Sequence, residues 1–296
     1  MSSLTSSRTE TGLRIRLLAL RIAGAIALFL IVLLLVVYGV SERQLRRTYD
    51  LDSIPLRAEA RIGSLAEGER LIHVFGCSGC HHANGHVLAD VPHVIRLVAP
   101  NLTRVVPTYS DAEFVRLVRR GIKRDGTSVI EMPAASFAAM SDDDLATILA
   151  YLRSQPQLAD EQPNTTEFHL LGRVAIALGK VPFSALVDQP MPAPVHRPLA
   201  TARDEGDYLV RSICSHCHNV TETHDDGWGM LTPPLALMGQ AYSRDAFRQF
   251  LRTGKALGDR DVGLMSAVAR EDLSHMSDPE IDAIHAYLNS VEMPAE

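Results

Sequence analysis

The sequence predicts an all-α protein in which an N-terminal transmembrane helix is followed by two tandem copies of one helical domain. Three observations carry that prediction. An uncharged run, "IAGAIALFLIVLLLVVYGV", occupies Ile22 to Val40. The pentapeptides "CSGCH" at 77–81 and "CSHCH" at 214–218 hold all four cysteines of the 296-residue chain. Around them the landmarks recur at nearly constant offsets: 137 from Cys77 to Cys214, 133 from Ser110 to Ser243 and from Met132 to Met265, and 136 from Tyr151 to Tyr287. Self-similarity of this kind is the signature of a duplicated unit.

Segment 1–48 reads as a cytoplasmic tail and membrane anchor, with the helix at about 22–40. At about 1.5 Å per residue such a run crosses a hydrocarbon core of about 30 Å. No small-residue cleavage site follows Val40, so a removed leader is the poorer reading. Arg8, Arg14, Arg16 and Arg21 precede the run and Arg43, Arg46 and Arg47 follow it. That asymmetry favours a cytoplasmic N-terminus only slightly.

The first copy, 60–156, opens with the helical stretch "SLAEGERLIHVFG", which leads straight into Cys77. Ser110 then caps "DAEFVRLVRRG", with Glu113 three residues on and a stop at Gly121. The last helix starts at Ser141 with Asp144 and continues as "LATILAYLRS". The second copy, 200–293, repeats the plan: "RDEGDYLVRSI", then "RDAFRQFLRTG" between Ser243 and Gly254, then "IDAIHAYLNS" after Ser277 and Glu280. Ile281, Ile284 and Leu288 recur there at helical spacing. Strand-like alternation is scarce, so long loops are expected between each cysteine motif and the mid-domain helix. Between the copies, 157–199 carries prolines 163, 182, 190, 192, 194 and 198 and reads as a linker. Its apolar stretch "FHLLGRVAIALG", 168–179, is expected to pack rather than to bind.

The net charge of −6 conceals a division. The tail and anchor hold seven Arg against Glu10 and Glu42, whereas residues 200–296 hold eight basic against sixteen acidic residues. No basic stripe interleaved with aromatics is present, which excludes a nucleic-acid binder.

A bare C-x-x-C is compatible with a redox dithiol or half a zinc site, but C-x-x-C-H is the attachment pattern for c-type haem. Cys77, Cys80, Cys214 and Cys217 would bond the vinyl groups of two covalently held haems, and His81 and His218 would ligate iron. A single zinc bound by all four thiolates is disfavoured, because the motifs sit at equivalent places in separate copies. A sixth ligand is expected from Met132 and Met265, which share the 133-residue offset and are expected in loops. Met140 and Met276 each precede the serine that caps a last helix, where packing explains them. His73, His82, His86, His93, His216 and His275 are read as surface or hydrogen-bonding groups. Asp142, Asp143 and Asp144 suit a helix N-terminus without a metal. Trp228 is the lone tryptophan, placed to pack near the second motif.

These residues resemble membrane-anchored di-haem cytochromes c built from two class I cytochrome c domains. The resemblance covers roughly 64–155 and 204–290 and rests on both pentapeptides, "APNLT" at 99–103, "TPPLA" at 232–236, Met132 with Pro133, and "AYLRS" and "AYLNS". It implies that the carbonyl of Pro100, and in the second copy of Pro233 or Pro234, holds the proximal imidazole. It also implies haem loading outside the cytoplasmic membrane of a bacterium, hence a single-pass protein with its haem domains in the periplasm. The first copy is loosely similar to cytochrome subunits of periplasmic alcohol, aldehyde or sugar dehydrogenases, although the alcohol-oxidising subunits typically carry three haems and a C-terminal anchor.

The expected activity is single-electron transfer between a respiratory or dehydrogenase donor and an acceptor, with no catalytic residue and no organic substrate. The acidic second copy suits a basic partner such as a small cytochrome c. The cluster Arg116, Arg119, Arg120, Lys123 and Arg124 is expected to face a different protein. Two rival readings remain. One is the di-haem subunit of a terminal oxidase complex, for which a glycine-rich run before the axial methionine is missing here. The other is a di-haem peroxidase, which needs an open iron site.

Overall fold

The apolar run and both its flanks form one continuous helix, α1 (Ser3–Leu45), in the computed structural model of the chain. The structure describes residues 3–50, 56, 62–160, 163, 165–186, 195, 197, 199–225 and 231–294. Trp228 and prolines 190, 192, 194 and 198 lie outside the described residues. Within α1 the stretch Arg16–Leu45 is long and apolar enough to cross a membrane, and its most apolar window has no buried residue. The helix outruns the expected 22–40 because neither flank carries a proline, while Arg and Leu are good helix formers. It fits a single-pass membrane anchor.

The first copy comprises α2 (Leu65–Val74), α3 (Cys77–His81), β1 (His86–Val91), β2 (Ile95–Ala99), α4 (Leu102–Val105), α5 (Asp111–Arg120), α6 (Ala134–Phe137) and α7 (Asp142–Ser154). The chain then forms β3 (Glu167–Phe168) and α8 (Leu170–Ala177). The second copy comprises α9 (Ala202–Leu209), β4 (His224–Asp225), β5 (Leu231–Thr232), α10 (Leu235–Gln240), α11 (Arg244–Thr253), α12 (Leu264–Glu271) and α13 (Asp278–Asn289). Helices dominate, but the all-α expectation is corrected by two small antiparallel sheets. Where a loop was expected after the first cysteine motif, β1 and β2 form a hairpin that turns at Pro92 and His93, with His93 at φ +65°. Val87, Val91, Ile95 and Val98 give these short strands their β-branched content. The third strand comes from the segment between the copies, where Phe168 and Glu167 pair with Ile95 and Arg96. That segment continues along the first copy: Ser184 N donates to Val129 O, and Leu186 N to Arg120 O.

Each long helix starts where its cap dictates. Ser110 and Glu113 close a capping box on α5, and Ser277 and Glu280 close one on α13. Ser141 and Ser243 accept from the amides of Asp144 and Ala246, and Gly121 and Gly254 end α5 and α11 in the left-handed region.

In each copy the first helix crosses the last at a glycine. A Cβ on Gly68 would lie 2.4 Å from Tyr151 Cβ, and one on Gly206 would lie 2.1 Å from Ala283 O and 2.6 Å from Tyr287 Cβ. Both sites are pinned by backbone rather than by a flexible side-chain tip. Gly206→Ala is therefore expected to lower unfolding stability by about 1–3 kcal/mol, through forced separation of α9 from α13. Thermal unfolding followed by circular dichroism checks it; a loss below about 0.5 kcal/mol would mean that the crossing tolerates a methyl group.

One apolar core runs through both copies, from Leu71, Val115 and Leu145 to Leu209, Ile281 and Leu288. Polar contacts join the copies around it. Tyr208 Oη donates to Asp144 Oδ2 at 2.5 Å and accepts from Ser141 N at 3.0 Å. Arg70 reaches across to Glu280 at 2.7 Å, and Arg197 touches Asp144, Glu205 and Glu280.

Candidate functional site

Each cysteine motif sits just beyond its first helix, but the junctions differ. After α2 the chain turns through Gly76 at φ +70°, a conformation that suits glycine, and α3 starts at Cys77. The second copy has no such glycine, and α9 runs directly into a π-helical turn, Val210–Cys214. None of the four cysteines is in a disulfide; Cys77 and Cys214 are half-buried, Cys80 and Cys217 exposed. Burial, then the neighbouring Cys80 and Asp272, push the Cys77 thiol up to about 12. Burial and Cys217 do the same to Cys214, again to about 12. Burial thus favours the protonated form of both thiols in the protein chain alone. Among the described residues no group of three or more His, Cys, Asp or Glu side chains could hold a metal ion by itself.

His81 Nδ1 lies 2.7 Å from Pro100 O. A carbonyl can only accept, so Nδ1 carries the proton and Nε2 keeps its lone pair for a ligand. Burial lowers the His81 pKa, and the bond to Pro100 pulls it the other way. His218 Nδ1 makes the equivalent contact with Pro233 O at 3.3 Å. Burial lowers the His218 pKa too, against the pull of Pro233.

The backbone behind the two imidazoles is held in different ways. Asn101, which follows Pro100, is fully buried and caps α4: its Oδ1 accepts from Thr103 N and Oγ1, and its Nδ2 donates to Leu158 O and Asp160 Oδ1. That anchors the segment behind the imidazole. In the second copy Pro234 follows Pro233 at the N-cap of α10 and supplies no side-chain cap. Thr232 Oγ1 instead donates to Cys217 O. Asn101 was missed by sequence reasoning, although a polar residue directly after the proline, one position before an apolar helix start, was the available signal.

Cys77 and Met132 are half-buried members of the apolar core, and so are Cys214 and Met265. Met132 lies in a loop, between Glu131 at φ +65° and Pro133, which starts α6. A left-handed glutamate is a strained conformation, and here it adjoins a candidate ligand. Met265 departs from the loop expected for it: it sits in the first turn of α12, because Gly263 at φ +64° starts the helix before it. Met140 and Met276 are buried to 2% and 1% exposure and pack in the core.

Several residues set aside above have definite places. His73 and His275 stack across the two copies, with centroids 4.0 Å apart, and His82 stacks on His86 at 4.0 Å. Asp142 pairs with buried Arg119 at 2.7 Å, and Asp144 with Arg197 at 3.1 Å, so the acidic triplet serves internal ion pairs as well as a helix start. Two residues of the basic cluster expected to face a partner, Arg116 and Arg119, point inward, Arg120 and Lys123 are half-buried, and Arg124 is exposed. Arg116 and Arg119 are each 5% exposed, Arg120 donates to Leu186 O and Arg124 to Thr108 O.

The donor set fits haem c in both copies. It offers two thiols three residues apart, an adjacent imidazole whose Nδ1 is committed to a proline carbonyl, and a methionine packed on the same apolar core.

Residues 63–152 and 201–288 both match the family described as Cytochrome C oxidase, cbb3-type, subunit III. Among characterised proteins, the chain is similar to the fructose dehydrogenase cytochrome subunit of Gluconobacter japonicus, 24% identical over 274 residues that cover 82% of this chain and 55% of that protein. It is 26% identical over 271 residues to the gluconate 2-dehydrogenase cytochrome c subunit of Pantoea cypripedii, covering 79% of this chain and 60% of that one. The alcohol dehydrogenase (quinone) cytochrome c subunit of Gluconobacter oxydans is 24% identical over 272 residues, 78% of this chain and 55% of its own length. The chain thus spans little more than half the length of these relatives.

Proposed function

The chain belongs to the family of cytochrome c oxidase, cbb3-type, subunit III, and from that premise we propose that it is a membrane-anchored di-haem cytochrome c passing single electrons from a dehydrogenase or other respiratory donor to an acceptor. The observation that carries the reading is the duplicated C-x-x-C-H, each histidine turned by a proline carbonyl so that Nε2 is left for iron. In this reading Cys77, Cys80, Cys214 and Cys217 hold two haems covalently, His81 and Met132 ligate one iron, and His218 and Met265 the other. Bound haem c supplies one-electron chemistry at iron. Pro100 and Pro233 orient the proximal rings, as the second partner of a metal-bound histidine does. The apolar core beside Met132 and Met265 excludes water from the ligand side. No side chain needs to act as acid, base or nucleophile.

The names of the similar proteins support a dehydrogenase as donor and an assembly with it. The excess of acidic residues over 200–296 supports a basic acceptor, such as a small cytochrome c. The apolar α1 supports a membrane anchor; in this reading the membrane is the cytoplasmic membrane of a bacterium and the haem-bearing copies lie in the periplasm.

The decisive experiment is a redox titration of the purified full chain, read by optical and spin-resonance spectra. Two low-spin ferric haems with a methionine–sulfur charge-transfer band are expected, with no peroxidase activity and with reduction of a basic cytochrome c that slows as salt is added. A high-spin haem would overturn the assignment of Met132 or Met265 and revive the peroxidase reading.

A further inference from the structure

α8 and the end of the membrane span form one unit. Arg173, in the middle of α8, donates to Ser41 Oγ at 3.1 Å and Glu42 Oε2 at 2.9 Å, and its guanidinium stands 4.7 Å over the Tyr38 ring. Val37, inside the apolar run, is half-buried and Ser41 is fully buried, whereas most of the run is exposed. The folded part therefore reaches down to the last turn of the span. On its inner side α8 is held by the hairpin: a Cβ on Gly172 would lie 2.1 Å from Val94 O, Ile176 is fully buried, and Leu171 N donates to His93 O. Its other side carries Leu170, Leu171 and Leu178 at 45%, 55% and 69% exposure. Leu171, Val174 and Leu178 follow helical spacing, so the outward face is an apolar stripe. Arg43, Arg46 and Arg47 stand exposed just past the span.

We infer that α8 is an interfacial helix that lays Leu170, Leu171 and Leu178 into the lipid bilayer beside α1, with the arginines after the span at the head groups. The occupant is lipid, rather than a second protein, because α8 is clamped to the turns of α1 where its apolar run ends. That fixes its height at the boundary between hydrocarbon and water. Amphipathic helices settle at that depth, with basic side chains toward anionic head groups. Two points of attachment set the orientation of the first copy on the membrane, which a single helix followed by a flexible tether would leave free. The inference rests on the reading of α1 as an anchor.

The test uses the haem-loaded full chain in nanodiscs of phosphatidylethanolamine and phosphatidylglycerol, spin-labelled in turn at Leu178→Cys, Leu257→Cys and Leu30→Cys. Relaxation by oxygen, which concentrates in lipid, is compared with relaxation by an aqueous nickel chelate. Leu178→Cys is expected to show a several-fold higher oxygen-to-nickel ratio than Leu257→Cys, which is exposed in the second copy. A label at Leu178 open to nickel, or shielded from both reagents as under a protein partner, would overturn the inference. Leu30→Cys separates the two readings: a lipid signal there with an aqueous one at Leu178 leaves the anchor standing, whereas an aqueous signal at Leu30 removes the anchor itself.

Discussion

Replacing Cys214 and Cys217 together by alanine is expected to halve the covalently bound haem, leaving one haem on the first copy. The effect is all-or-none at the second copy, because thioether attachment has no other sulfur to use: the four thiols are the only cysteines in the chain. Haem staining after denaturation and the alkaline pyridine spectrum count the haems before and after. The first copy should keep its haem, since α2, α3, β1 and β2 present His81 and Pro100 without help from the second motif. His218→Ala is the companion variant if the double alanine fails to fold. It keeps both sulfurs, so covalent haem should remain while the second iron loses its proximal nitrogen and its low-spin signal. Wild-type protein with one haem per chain would refute the di-haem reading outright. Loss of both haems in a folded double alanine would show instead that the copies cannot be loaded separately.

Much of this was legible in the residues alone. The long apolar helix, the repeat and the capped helices follow from hydropathy and from Ser, Gly and Glu at fixed offsets, all local signals. Non-local features were not legible. The hairpin of β1 and β2 takes its third strand from Phe168 and Glu167, some 70 positions away, and no local alternation announces such a pairing. Gly68 and Gly206 look like helix-weakening glycines until the crossing helices are in place. The same holds around the motifs. Spacing identifies Cys77, Cys80 and His81, but only the fold shows His81 at 2.7 Å from Pro100 O and His218 at 3.3 Å from Pro233 O. The change from Asn101 to Pro234, which replaces a capping amide by a proline, was visible in "PNLT" against "PPLA" without its meaning being so. Arg116 and Arg119 misled because a run of charge says nothing about which side faces the core; Arg119 pairs with Asp142 inside it.

Arg197→Ala is expected to cost about 3–5 kcal/mol of unfolding stability, the usual penalty for removing one partner of a buried charge cluster. Arg197 comes from the segment between the copies and is the charge on which they converge. It meets Asp144 of the first copy at 3.1 Å, Glu280 of the second at 3.2 Å, and Glu205 of α9, with its guanidinium 5.3 Å over Tyr208. Without it three half-buried to buried carboxylates face one another, and Arg70 alone remains for Glu280. A fall in Tm on the order of 10 °C follows for a body of this size. The pH dependence carries a second signature. Burial acts to raise the Glu280 pKa, but the hydrogen bonds and charge of Arg70, aided by Ser277, bring it down to about 2 from an ordinary 4.5. A depressed carboxyl contributes stability above its unfolded pKa and loses it on acidification, here as pH falls from about 4.5 to about 2. Asp144 works the other way, since burial outweighs Arg197 and raises its pKa, so its ionisation reduces stability as pH rises past its ordinary range. Glu280→Gln should flatten the acid limb of the stability curve, while Arg197→Ala should lower the whole curve. If Arg197→Ala cost less than about 1 kcal/mol near neutral pH, the ion cluster could not be what fixes the two copies against each other, and the shared apolar core through Leu209 and Leu145 would have to do so alone.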